Sequence, residues 1–162
     1  MIATYQGYDK LLKRAGRGII AGLAATLVLW LVKFISGPLP QLETIHFLDE
    51  VAAATAKFTA LPDPPFAGWV WHLVIGTLLW GSLYGIMAPV LPGRRHWQRG
   101  ISFGVITGML VMLMVMPLAG AGYFGMQLTP LAPVVSLVFH IIYGVTLGAV
   151  YALLLHWGAS QR

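Results

Sequence analysis

The chain has 162 residues, 58% hydrophobic and 9% charged, a balance that excludes an ordinary soluble domain and points to a bilayer. Ten Lys and Arg against five Asp and Glu give a net charge of +5; because the basic residues flank apolar stretches, this is a membrane-topology signal and not a nucleic-acid surface. The absence of cysteine excludes disulfides, thiolate metal ligation and a cysteine nucleophile.

Residues 1–16, with Lys10, Lys13 and Arg14, read as a cytoplasmic N-terminal segment. The apolar stretch 17–36 can cross a hydrocarbon core about 30 Å thick, which takes about 20 helical residues. It outruns a signal-peptide core, and no small-x-small cleavage site precedes Gly37-Pro38-Leu39-Pro40, so a retained transmembrane helix is expected. Between Glu43 and Leu61, the residues Leu48, Val51, Ala52, Thr55 and Phe58 recur at helical spacing. Asp49 and Glu50 near the start and Lys57 near the end suit the helix dipole. This predicts an external amphipathic helix at about 43–61, lying on the outer membrane surface or capping the bundle, with partner docking as the functional variant, and ended by Pro62, Pro64 and Pro65.

Further membrane stretches are expected near 68–91, 100–120 and 132–157. Between them lie a basic loop at 92–99, containing Arg94, Arg95 and Arg99, and an uncharged segment at 121–131; residues 158–162 end in Arg162. The positive-inside rule then places both termini and the 92–99 loop in the cytoplasm. Trp69, Trp71, Trp97, Tyr123 and Trp157 fall near helix ends, where amphipathic rings anchor at the interface.

The sequence repeats itself. Arg17-Gly18-Ile19 and Gly22 return 82 residues later as Arg99-Gly100-Ile101 and Gly104. His72-Leu-Val-Ile-Gly76 returns 68 residues later as His140-Ile-Ile-Tyr-Gly144, and Tyr84 matches Tyr151 after a one-residue gap. Pro38-Leu39 and Pro117-Leu118 are expected to end the first and third helices, because proline cannot continue the hydrogen-bond ladder. The fold expected is therefore all-α and polytopic: four transmembrane helices arranged as two parallel two-helix repeats, 17–91 and 100–157, plus the external amphipathic helix. Gly18 and Gly22, Gly100, Gly104 and Gly108, and Gly144 and Gly148 stand four apart, which predicts helix-packing faces.

His72 and His140 are the chemical candidates, because ionisable side chains within membrane segments are costly and face protein or water. Their i, i+4 relation to glycines places both on inward stripes near the external side. The expected role is hydrogen bonding between helices with no cofactor; the alternative is axial ligation of a b-type haem between helices two and four, with small residues leaving room for the macrocycle. Met109, Met112, Met114 and Met116 could bind copper(I), but their offsets scatter them around the helix, which favours packing or lipid contact. His46, Asp49 and Glu50 could hold a surface metal, though an exposed helix explains them as well. No catalytic residue is nominated: neither a phosphate-binding glycine loop nor a serine, histidine and acid constellation is legible.

Arg99-Gly100-Ile101-Ser-Phe-Gly104, Met116-Pro117-Leu118-Ala-Gly-Ala-Gly122-Tyr-Phe124 and His140-Ile-Ile-Tyr143-Gly144-Val-Thr-Leu-Gly148-Ala-Val-Tyr151 together resemble an uncharacterised family of small bacterial four-helix membrane proteins. The resemblance covers helices two to four best and implies a multi-pass protein of the bacterial inner membrane, with no activity attached to any residue. The expected function is that of a non-catalytic accessory or structural subunit in a larger membrane complex, such as an electron-transfer complex. Its expected partners are membrane lipids and other membrane subunits, not nucleic acid. A small bis-histidine haem electron carrier is the alternative, and a small-solute or lipid transporter the third.

Overall fold

A computed structural model describes residues 2–36 and 64–160. The amphipathic helix expected at 43–61, with His46, Asp49 and Glu50, lies outside them. Among the described residues, four helices are long and apolar enough to cross a membrane: Gly7–Ile35, Val70–Met87, His96–Leu118 and Ala132–Gly158. The shortest has 18 residues, about 27 Å at 1.5 Å per residue, so each reaches across most of a hydrocarbon core.

We name the helices α1 (Ile2–Ser36), α2 (Pro64–Met87), α3 (His96–Leu118) and α4 (Ala132–Ser160). α1 begins well before residue 17: Lys10, Lys13, Arg14 and Arg17 extend the same helix beyond its apolar run. α2 contains a wide π-helical segment, Ile75–Trp80, and α3 another, Val111–Val115. Such segments hold one residue more than the α-helical ladder would. In α3 the reason is close at hand. Pro117 has no N–H and its ring crowds the preceding turn, so the helix widens ahead of it and passes through to Leu118. The helix then ends at Leu118, where the Pro117-Leu118 pair is expected to end it. Gly120, with φ of +82°, follows its end in the left-handed region where glycine carries no steric penalty.

The helices are zipped pairwise by glycine. α1 and α2 run antiparallel: Gly85 sits on the Arg14 carbonyl, Gly18 on the Gly81 carbonyl, and Gly22 on the backbone of Gly76, Thr77 and Gly81. α3 and α4 repeat the arrangement, with Gly148 on the His96 carbonyl, Gly100 on that of Gly144 and Gly104 on that of His140. At Gly22 a Cβ would stand 2.8 Å from the Gly76 carbonyl oxygen and 2.9 Å from the Gly81 Cα, closer than a carbon can approach. In lipid, where apolar burial gives helices little reason to associate, this backbone proximity supplies the dispersion contact.

The two pairs join in a common core. α1 packs against α4, and Ala21, Ala25 and Leu29 of α1 share the interior with Tyr84 of α2, Phe103 of α3 and Tyr143, Leu147 and Tyr151 of α4. Tyr84 stands edge-on to both Phe103 and Tyr151, with ring centroids 5.4 Å apart in each case. A second cluster, Met112, Met116, Ala121 and Ala132, fills the opposite end beneath the short turn Tyr123–Gly125. Of the four crowded methionines, Met112 and Met116 are buried while Met109 and Met114 are exposed, so packing divides the group.

Candidate functional site

The polar groups of α2 and α4 meet near the end of the bundle that holds His72 and His140. In the wide segment of α2, the Gly81 N–H reaches back to the Gly76 carbonyl, spanning five residues. The same carbonyl accepts a hydrogen bond from the Tyr143 hydroxyl of α4. A π-helical turn thus presents a backbone oxygen to a tyrosine on another helix. Thr77, next in the segment, has its hydroxyl buried with no hydrogen-bond partner among the described residues. On the facing side, Thr26 of α1 folds its hydroxyl onto the Gly22 carbonyl at 2.9 Å, and Gly76 packs against that hydroxyl.

One turn beyond Tyr143, His140 is half-buried. Its Nδ1 lies 2.7 Å from the Ser136 carbonyl oxygen, and since a carbonyl only accepts, Nδ1 carries the proton and donates. Nε2 then keeps its lone pair. Gly108 of α3 presses on this ring: a Cβ there would stand 3.1 Å from both Cβ and Cγ of His140. His72 keeps an exposed side chain although Gly68 and Gly76, one turn away on either side, are buried. The two imidazoles lie within electrostatic reach of each other.

The structure therefore places the two candidate histidines at one end of the bundle, but in unequal settings. Packing also assigns them a different relationship from the one the motif suggests. Gly81 occupies in the first pair the place of Gly144 in the second, Gly85 that of Gly148, and Thr77 that of His140. The packing offset between α2 and α4 is thus 63, not the 68 of the His-x-x-x-Gly match, a difference of a little over one helical turn. The wide segment Ile75–Trp80 lies between His72 and the glycines that fix the packing register. Gly104 and Gly108, expected on a helix-packing face, close on the backbone and ring of His140.

Thr77 and Tyr143 are the residues that sequence reasoning passed over. A tyrosine in the interior of an apolar helix was a visible signal, because its hydroxyl needs a partner when buried. Tyr84 and Tyr151 follow the same rule, donating to the carbonyls of His96 at 2.9 Å and Gly85 at 3.4 Å. For Thr77 no signal was available, since its role depends on the wide turn.

Two glycine-zipped hairpins joined by tyrosine-to-carbonyl bonds define a polytopic helical bundle of membrane-spanning proportions. A model of the family of unknown function DUF6789 matches residues 12–160, and the chain belongs to that family. No curated protein and no solved structure matches it.

Proposed function

We propose that this protein is a non-catalytic subunit of a larger membrane assembly, with an electron-transfer complex as the assembly of choice. The observation that carries this reading is how the interior polar groups are used. The hydroxyls of Tyr84, Tyr143 and Tyr151 all bond helix carbonyls, and the glycine faces close on backbone. Such an interior serves to hold four helices in one register, which suits a scaffold whose partners meet its outer surface. We place it in a bacterial inner membrane with both termini in the cytoplasm, supported by the basic residues gathered at one end. We also read the two hairpins as a duplication, supported by like contacts at offsets of 82 and 63.

Extraction of native membranes in mild detergent tests the proposal. The protein is expected to migrate with a stable complex several times its own mass and to copurify with redox-active subunits. A strictly monomeric protein carrying its own cofactor would refute it.

A second reading, a haem carrier using His72 and His140, is favoured by one specific observation. The His140 Nδ1 proton is committed to Ser136, which leaves Nε2 oriented as in a metal-ligating histidine. An absorption spectrum after haem-sufficient expression decides it: a Soret band lost in both His72→Ala and His140→Ala supports ligation, and no band in the parent protein ends it.

A further inference from the structure

At the end of the bundle opposite the histidine pair, positive charge is concentrated and only partly compensated. Among the described residues Asp9, next to Lys10, is the one carboxylate, against Lys10, Lys13, Arg14, Arg17, Arg94, Arg95 and Arg99 at the same end. The fold draws some of these cations around a single ring. Gly85 seats α2 on the Arg14 carbonyl, and Gly148 seats α4 on the His96 carbonyl, so the basic turns of α1 and α3 close on either side of Tyr151. The His96 and Tyr151 rings are 5.5 Å apart. Arg14 and Arg17 lie within electrostatic reach of Tyr151, and Arg99 and His156 within reach of His96. The Arg17 guanidinium lies against Gly158 of α4; a Cβ there would stand 2.6 Å from its Nη2. Arg99 donates through Nε to the Gly93 carbonyl at 3.0 Å, which orients its side chain and leaves its terminal nitrogens for another acceptor. The His96 Nδ1 is buried with no hydrogen-bond partner among the described residues.

One of these cations also stands where the backbone adds to its charge. Arg99 stands in the first turn of α3, at the positive end of the helix dipole. Without an anion the arrangement is self-repelling; with one, both the side chains and the helix end are neutralised. The setting selects the kind of anion. Trp97 and Trp157 are exposed toward this end of the bundle, as rings at a membrane–water interface are, and Leu12 and Leu153 present exposed apolar surface there. A free anion would use the charges alone, whereas a lipid would use the charges and the apolar flank.

We propose that this end of the bundle binds the phosphate headgroup of an anionic phospholipid, held by Arg14 and Arg17 on one side of Tyr151 and by Arg99 and His156 on the other. The loop arginines Arg94 and Arg95 lie outside this ring of contacts and contribute only general attraction.

The protein, purified in a neutral detergent, is titrated in separate arms with dioleoylphosphatidylglycerol, dioleoylphosphatidylcholine and inorganic phosphate, with bound lipid read by native mass spectrometry and the thermal midpoint followed in parallel. Phosphatidylglycerol is expected to remain bound and raise the midpoint, and the other two to do neither. A charge-assisted hydrogen bond to the phosphate contributes about tenfold in affinity, so Arg14→Gln with Arg17→Gln should weaken binding about a hundredfold. Arg94→Gln with Arg95→Gln should weaken it about fivefold or less. Equal binding of phosphatidylcholine, equal stabilisation by phosphate, or equal losses in the two double variants would overturn the proposal. Should the first variant lower the lipid-free midpoint, Arg14→Lys with Arg17→Lys keeps the charge and must keep the phosphatidylglycerol response; its failure to do so would equally overturn the assignment.

Discussion

Replacing Gly22 by alanine tests the idea that backbone contact between α1 and α2 holds the first hairpin. The new Cβ would stand 2.8 Å from the Gly76 carbonyl oxygen, 2.9 Å from the Gly81 Cα and 3.1 Å from the Thr77 carbonyl oxygen. Carbon contacts settle at about 3.5 Å or more, so the helices must part by roughly 0.6 Å, and a gap of that size forfeits a quarter or more of the dispersion along the seam. Overpacking of this kind costs about 1–3 kcal/mol, while alanine returns about 1 kcal/mol of helix propensity, for a net loss of about 1 kcal/mol. Gly16 supplies the control: it lies on the same helix with no heavy atom within 4 Å of its would-be Cβ, so Gly16→Ala should be neutral or stabilising by up to about 1 kcal/mol. The double variant Gly22→Ala with Gly81→Ala carries the sharper expectation. One separation of the helices accommodates both methyl groups, so its cost should fall short of the sum of the singles. The assay is reversible unfolding in mixed micelles followed by helical circular dichroism. If Gly22→Ala proves as stable as Gly16→Ala, the seam is not what holds the hairpin.

Tyr143→Phe removes the hydroxyl bonded to Gly76 and should destabilise the bundle by about 0.6–1 kcal/mol in the same unfolding assay, whereas Tyr151→Phe, which loses a longer bond, should cost less. Gly93→Ala places a side chain at φ of +132°, with its Cβ 2.8 Å from the Arg99 N; a loss of about 1–3 kcal/mol is expected, and an unchanged midpoint would contradict the strained turn. Gly108→Ala meets the His140 side chain and not a backbone atom, so it should cost less than Gly22→Ala while shifting the imidazole resonances of His140 in NMR spectra.

The helices were legible because composition and hydropathy alone demand them, and the glycine ridges were legible because four-residue spacing survives in any regular helix. Register was not. The motif match aligned His72 with His140, yet Thr77 occupies the equivalent place, and the wide turn Ile75–Trp80 that separates His72 from the packing glycines leaves no mark in residue identity. The start of α1 was hidden for a different reason: Lys10, Lys13 and Arg14 interrupt the apolar run without interrupting the helix, so a reading by hydropathy cut it at residue 17. Pro117-Leu118 did mark the end of α3, but the widened turn Val111–Val115 ahead of it left no signal in the sequence. As for the candidate site, the two histidines could be picked out by their cost in a membrane, and Gly108 by its spacing, but that Gly108 presses on the His140 ring and that Ser136 accepts its proton depend on packing and rotamer, which the sequence does not carry.

The glycine seams have one further consequence. Where two helices touch through bare backbone, neither reads the identity of the other: a carbonyl of Gly81 offers Gly18 much what a carbonyl of Gly144 offers Gly100. Such a joint is strong but promiscuous, and left to itself it would let hairpins trade partners, within one molecule or between two. The discrimination has to come from groups that do differ, namely the three tyrosines that each reach one chosen carbonyl. Cohesion and choice are thus divided between different residues, and a variant lacking the tyrosine hydroxyls should lose its single assembled form, as seen in crosslinking or domain-exchanged dimers, before it loses its helices.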